Sequence, residues 1–310
     1  MAELLVSAPA KINLHLEVLG LRPDGFHELA MVMQTLDLCD TLSLKPTADG
    51  LVQLRVDRSD LPTDGSNLIV KAAELLKARV GLPELGVSME LQKRIPIGAG
   101  LAGGSSNGAA ALVGLNALWG TGFSQQQLLA MAAELGSDMP FCIGGGTQLC
   151  FGRGEVLEPV PLEQPPSLAV LLIKHPEASV STPWAYKRCR EQRGDGYLAQ
   201  ESEFEQRRQV LRRGPLLAAL GGEAALPEIR NDLQGVVEPE VESVRTGLAL
   251  LRRAHGAVAV AMSGSGPSLF ALFPDRELAQ QAQQDLAADL SGAGFEAWVC
   301  RCTGSGATLD

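Results

Sequence analysis

The segment Pro96-Ile97-Gly98-Ala99-Gly100-Leu101-Ala102-Gly103-Gly104-Ser105-Ser106 constrains this chain more than any other. It holds four glycines and two serines in eleven residues. Before it, Val87, Met89 and Leu91 alternate with polar neighbours, which predicts a strand over 87–95. After it, the apolar spacing predicts a helix from about Asn107 to Trp119, with Gly120 and Gly122 placed to end it. A strand, a glycine-rich loop and a helix N-terminus together make an anion cradle. Glycine leaves bare N–H groups facing the anion, and the helix end adds partial positive charge. The hydroxyls of Ser105 and Ser106 supply further groups for phosphate or metal.

Better-known phosphate loops do not fit. The G-x-x-x-x-G-K-[ST] spacing is met by Gly98 and Gly103, but Gly104 stands where the lysine is required. Gly98, Gly100 and Gly103 satisfy G-x-G-x-x-G. A dinucleotide fold then needs an acidic residue about 20 positions on, and none lies between Ser105 and Glu134. A protein-kinase loop requires H-R-D and D-F-G downstream, and the chain has neither.

The loop sits in a chain of 310 residues, which predicts two domains. Pro159, Pro161, Pro165 and Pro166 cluster between two patterned regions, so the boundary is set there, dividing 1–162 from 163–310. In the first part, strands are expected over 4–8, 12–18, 42–45 and 51–56, with a helix over 67–80. Ser124 and Gln127 form a capping box for a helix to Leu135. In the second part, strands are expected over 168–173, 257–262, 268–273 and 297–302. Helices are expected from Thr182-Pro183, over 200–213, from Leu233 and over 277–290. Strands and helices in no strict βαβ order place the chain in the α+β class.

A net charge of −10 argues against a nucleic-acid surface. A small anion remains compatible, because local amides and cations outweigh a distant charge screened over about 10 Å. No apolar run approaches the roughly 20 residues that span a bilayer. Met1 to Val6 lacks the basic start of a signal peptide. Six cysteines without C-x-x-C spacing suit a reduced, cytoplasmic protein. No His/Cys/Asp cluster has zinc spacing, so no metal ligand is assigned.

The glycine run resembles the ATP-binding loop of the galactokinase, homoserine kinase, mevalonate kinase and phosphomevalonate kinase (GHMP) superfamily. Ala8-Pro9-Ala10-Lys11-Ile12-Asn13-Leu14 is similar to that superfamily's N-terminal motif, and Ser263-Gly264-Ser265-Gly266-Pro267 to its third glycine motif. Two further segments resemble one branch, the kinases of a diphosphocytidyl sugar alcohol on the methylerythritol phosphate route to isoprenoids. These are Arg22-Pro23-Asp24-Gly25-Phe26-His27-Glu28-Leu29 and Gly136-Ser137-Asp138-Met139-Pro140-Phe141. The resemblance covers essentially the whole chain. It implies an S5-like N-terminal domain and a ferredoxin-like C-terminal domain, with ATP as phosphoryl donor and Mg²⁺ carried with the nucleotide. The alternatives are another GHMP kinase, of homoserine or mevalonate type, and a non-catalytic nucleotide-binding protein on the same fold. Gly25-Phe26-His27-Glu28 argues against the first, and the presence of Lys11 and Asp138 against the second.

The resemblance also implies roles. Asp138 accepts or orients the proton of the acceptor hydroxyl; from the sequence alone it is equally a turn residue after a helix. Lys11, in an odd place on a strand, neutralises the transferring phosphoryl group beside Asp138. Asn13 lies on the same strand face as Lys11 and contacts the same substrate. Phe26 stacks on the cytosine, standing where many relatives carry Tyr, and His27 reads the base with a ring nitrogen. Tyr186 is a second aromatic around the base or a helix-packing residue. Asn67 is an adenine-side residue or a helix N-cap.

Overall fold

A computed structural model describes residues 3–310 of the chain. The order opens with β1 (Leu4–Leu21), β2 (His27–Thr47), β3 (Val52–Val56), α1 (Leu68–Val80), β4 (Gly86–Gln92), α2 (Gly103–Leu118), α3 (Gln125–Leu135) and α4 (Met139–Gly144). It continues through β5 (Thr147–Gly152), β6 (Val156–Pro159), β7 (Ala169–Lys174), α5 (Thr182–Arg193), α6 (Glu201–Arg212), α7 (Pro215–Leu220), α8 (Gln234–Val237) and α9 (Glu242–Leu251). It closes with β8 (Ala259–Met262), β9 (Leu269–Phe273), α10 (Arg276–Asp285), α11 (Ala287–Gly292), β10 (Glu296–Thr303) and β11 (Thr308–Leu309). The α+β class expected from the element order holds: among the named strands of the described residues, only β3 and β4 pair in parallel.

The 21-residue strand β2 organises the sheet. One edge pairs with β1 along most of its length. The other meets β5 over 29–34, β10 over 35–36 and β4 over 41–47. From β10 the sheet runs on through β7, β9 and β8. The chain end returns to the first half, where β11 pairs with β1. The first half of β2 escaped the sequence reading for a physical reason. Leu29 to Thr35 are all buried, so the strand shows no alternation between an apolar and a polar face.

The strands expected over 4–8 and 12–18 are one continuous strand with interruptions. Pro9 cannot donate to the ladder, and the register shifts between Pro9 and Lys11 and again between Asn13 and His15. Each shift turns the strand over. Ala8 and Leu16 belong to one core cluster, whereas Ala10, Ile12 and Leu14, of the same parity, belong to the cluster on the opposite side. The three-residue window between the bulges is thereby re-aimed, and it carries Lys11 and Asn13.

Other expectations shift at their edges. The helix after the glycine loop begins at Gly103, not Asn107, so two glycines and two serines form its first turn. The α3 capping box is present as read, with both Ser124 and Gln127 engaged. Ser181, not Thr182, caps α5 through its hydroxyl. The segment 277–290 is two helices, because Leu286 ends α10 and starts α11. Among the described residues no helix is long and apolar enough to cross a membrane.

Candidate active site

Lys11 is where the bulge has its effect. Its backbone N–H leaves the strand ladder and donates to Leu101 O of the glycine loop at 3.1 Å. Its ammonium, almost fully buried, donates to Asn13 Oδ1 at 2.8 Å and to Gly100 O at 3.1 Å. It also lies 3.7 Å from Asp138 Oδ2. Lys11, Asn13 and Asp138, distant in sequence, are thus brought together.

Asp138 sits at the N-cap position of α4, two residues beyond the α3 C-cap at Gly136. Its carboxylate makes no capping hydrogen bond. An N-cap aspartate normally satisfies helix N–H groups; this one is left for Lys11 and the cavity, to which its side chain is 34% exposed.

The glycine loop is docked on the third glycine turn. Ser263 Oγ donates to Gly100 O at 3.0 Å, and Ser268 N–H to Ala99 O at 3.3 Å. Gly100, at φ +71°, packs so closely on Ser263 and Gly266 that a Cβ would collide with Ser263 O. Asn231 secures the far side of that turn, donating to Met262 O and Gly264 O at 2.7 and 2.9 Å. Thr182, released from capping, lies 2.8 Å from Ser265 across the cavity mouth.

Lys11, Asn13, Asp138, Thr182 and the turn at Gly264–Gly266 line one cavity of about 940 Å³. Of residues 96–106, all but Leu101 and Ser106 face it. Those two are fully buried. The earlier start of α2 sets Ser106 back from the mouth, and its hydroxyl has no hydrogen-bond partner among the described residues. Asn67 lines the cavity and also caps α1, accepting from Ile69 N–H at 2.9 Å.

The aromatic end lies where β1 turns into β2. Asp24 Oδ1 accepts from Phe26 N–H at 3.0 Å, and Phe26 O accepts from Arg22 N–H at 2.8 Å. His27 stacks on Tyr186, ring centroids 4.8 Å apart, and meets Tyr197 edge-on at 5.7 Å. Burial, and then the nearby Arg190 guanidinium, pushes the His27 pKa below the ordinary imidazole value, favouring the neutral ring. Its Nε2 is buried without a hydrogen-bond partner among the described residues. Phe26 stands exposed at the cavity lip with the Arg153 guanidinium 5.0 Å over its ring.

Sequence reasoning missed a buried ion pair behind the glycine loop. Asp40, fully buried, accepts from Lys93 Nζ, from Asn107 Nδ2 at 2.8 Å and from Arg94 and Ile95 N–H at 2.7 and 2.8 Å. It fixes the end of β4 and the start of α2, the two elements that hold the loop. Asp40 is invisible in the sequence because nothing local marks β2 as buried there. Asp40→Ala strands a buried ammonium and several N–H groups, so unfolding in urea should show a loss of about 3–5 kcal/mol.

The N-terminal domain model of the GHMP kinases matches residues 67–146, and their C-terminal model matches 212–292. The chain is 61% identical over 306 residues to a 4-diphosphocytidyl-2-C-methyl-D-erythritol kinase of Synechococcus sp. (strain CC9902), covering 99% of each. It is 60% identical to the protein of that name in Prochlorococcus marinus (strain MIT 9303), covering 98% of this chain and 95% of the relative. Among solved structures, a 4-(cytidine 5'-diphospho)-2C-methyl-D-erythritol kinase superposes with TM-score 0.76 at 31% identity, covering 97% of this chain and all of that one. A homoserine kinase from Cytophaga hutchinsonii reaches TM-score 0.73 at 21% identity, covering 100% of this chain and 98% of that one, a likeness of fold.

Proposed function

The chain belongs to the 4-diphosphocytidyl-2-C-methyl-D-erythritol kinases, a family of GHMP kinases, and from that premise we propose that Lys11, Asp138 and the loop 96–106 carry the family's reaction here. That reaction is ATP-dependent phosphorylation of a hydroxyl of 4-diphosphocytidyl-2-C-methyl-D-erythritol. The observation that carries this assignment is the juxtaposition, in one cavity, of the Lys11–Asp138 pair, the docked glycine loop and the unpartnered His27 Nε2.

Phosphoryl transfer asks mainly for alignment and charge stabilisation. The N–H groups at the start of α2 hold the ATP phosphates. Asp138 accepts the hydrogen bond of the acceptor hydroxyl and takes its proton as the new O–P bond forms and the bond to the ADP oxygen breaks. Lys11 offsets charge on the moving group, and its bond to Gly100 O ties it to the phosphate loop. Asn13 fixes the ammonium between these partners. Asp138 is the one carboxylate among the described residues lining the cavity. That donor set suits a Mg²⁺ ion held mostly by ATP phosphates and water, which would neutralise phosphate charge when bound. The division at residue 162 is supported by the two matched models, which fall on either side of it. Six free cysteines support a reducing, cytoplasmic setting.

Coupled measurement of ADP release against a panel of alcohols tests the reading. Turnover is expected with the cytidyl compound and not with homoserine or mevalonate; the reverse would overturn it. The base end has its own test. His27→Ala should raise the KM for the cytidyl substrate by the equivalent of about 1–3 kcal/mol and leave the ATP KM unchanged. It should also narrow the preference for cytosine over a uracil analogue. A shift in the ATP value alone would mean that the two nucleotides exchange places.

A further inference from the structure

Arg153, between Gly152 and Gly154 in the turn joining β5 to β6, has no part in the assignments above. Its guanidinium faces the cavity, 5.0 Å over the Phe26 ring. On its other side the turn runs against the reacting centre: a Cβ on Gly154 would lie 3.8 Å from Asp138 Oδ1. The turn that carries Arg153 therefore lies between the base end and the reacting end. The turn is anchored rather than loose. Gly152 N–H donates to the buried Glu28 carboxylate at 3.1 Å, and Glu28 is held by Arg22 at 2.9 Å and Arg208 at 2.6 Å. Glu28 directly follows His27, so one carboxylate fixes both the aromatic hairpin and the turn that presents Arg153.

Two of the other cavity cations are tied to carboxylates, and two lie toward the base end or the solvent. Lys11 faces Asp138, and Lys93 is paired with Asp40. Arg190 stands beside His27, at the base end. Lys187 is largely exposed and faces Glu191. Arg153 has one tie, from its Nε to Glu155 at 3.3 Å. Among the described residues, its two η nitrogens have no hydrogen-bond partner.

Resting on the cytidyl reading above, we propose that Arg153 is a substrate-contacting residue that binds the diphosphate of the acceptor. A molecule with its base at Phe26 and its hydroxyl at Asp138 lays its diphosphate between them, and a guanidinium fork matches two phosphate oxygens.

The test compares CDP with cytidine as competitors of the substrate, in wild type, Arg153→Met and Arg153→Lys. Met keeps an apolar stem on Phe26 and removes the charge. Arg153→Met should raise the substrate KM and the CDP Ki by about 10–100-fold, and the cytidine Ki by less than about threefold. Arg153→Lys should recover part of the loss. The ATP KM should stay at its wild-type value. If CDP and cytidine weaken together, or neither weakens, Arg153 serves the aromatic wall and not the diphosphate. A rise in the ATP KM would give Arg153 to the other nucleotide. If the wild-type protein binds neither CDP nor cytidine, the cytidyl reading itself falls, and this assignment with it.

Discussion

Asp138→Asn is expected to cut turnover by about 10²–10⁴-fold while shifting ATP affinity by less than about threefold. The amide keeps the side chain's volume but carries no charge and cannot take a proton. The ATP phosphates are assigned to the start of α2, so the nucleotide site should survive intact. Steady-state turnover and a direct ATP titration on the same preparation decide the matter. Retention of more than about half the turnover would reduce Asp138 to a turn residue. Lys11→Met gives a different pattern, because that ammonium holds Asn13 and Gly100 O as well as facing Asp138. Its loss should lower turnover and weaken ATP together. The contrast between the two variants separates a group acting on the acceptor from one that also supports the phosphate loop.

What could be read from the sequence followed locality. The glycine run, the Ser124–Gln127 box and the Ser263–Pro267 turn are short signals whose chemistry lies within a few residues; the box and the turn fold where they were expected, and the run differs only in that its helix starts four residues earlier, at Gly103. The pairing of Lys11 with Asp138 spans more than a hundred residues and came only from resemblance. Composition could not supply it, because it depends on a bulge at Pro9 that turns the strand over. Asp40 and Lys93 were missed for a related reason. A buried ion pair between two strands and a helix leaves no periodic trace, and its members read as ordinary surface charges. Phe26 and His27 were legible as residues. Their surroundings (Tyr186 under the imidazole, Arg153 over the phenyl ring) depend on α5 and the β5–β6 turn packing against the hairpin.

The same limit decides which glycine tests the phosphate site. From the sequence, Gly103→Val is expected to block ATP and spare the fold. In the structure, a Cβ at Gly103 would lie 2.9 Å from Lys93 Nζ and 3.1 Å from Ile95 Cγ2. Valine there pushes into the ion pair that holds β4 to α2, so the variant should lose stability as well as ATP. Gly104 is the clean position. It lies in the first turn of α2, lines the cavity, and a Cβ on it meets nothing within 4 Å. Valine also has better helix propensity than glycine, so Gly104→Val should melt close to the wild type. Its branched side chain would occupy the space over the helix N-terminus where phosphate oxygens approach. Displacing two charge-assisted hydrogen bonds, each about 1.5–3 kcal/mol, corresponds to about 10²–10⁴-fold weaker ATP binding. Thermal melts and ATP titrations of the two variants should therefore separate: Gly103→Val low in both, Gly104→Val low in affinity alone. A folded Gly104→Val protein that binds ATP like the wild type would remove the phosphates from the start of α2.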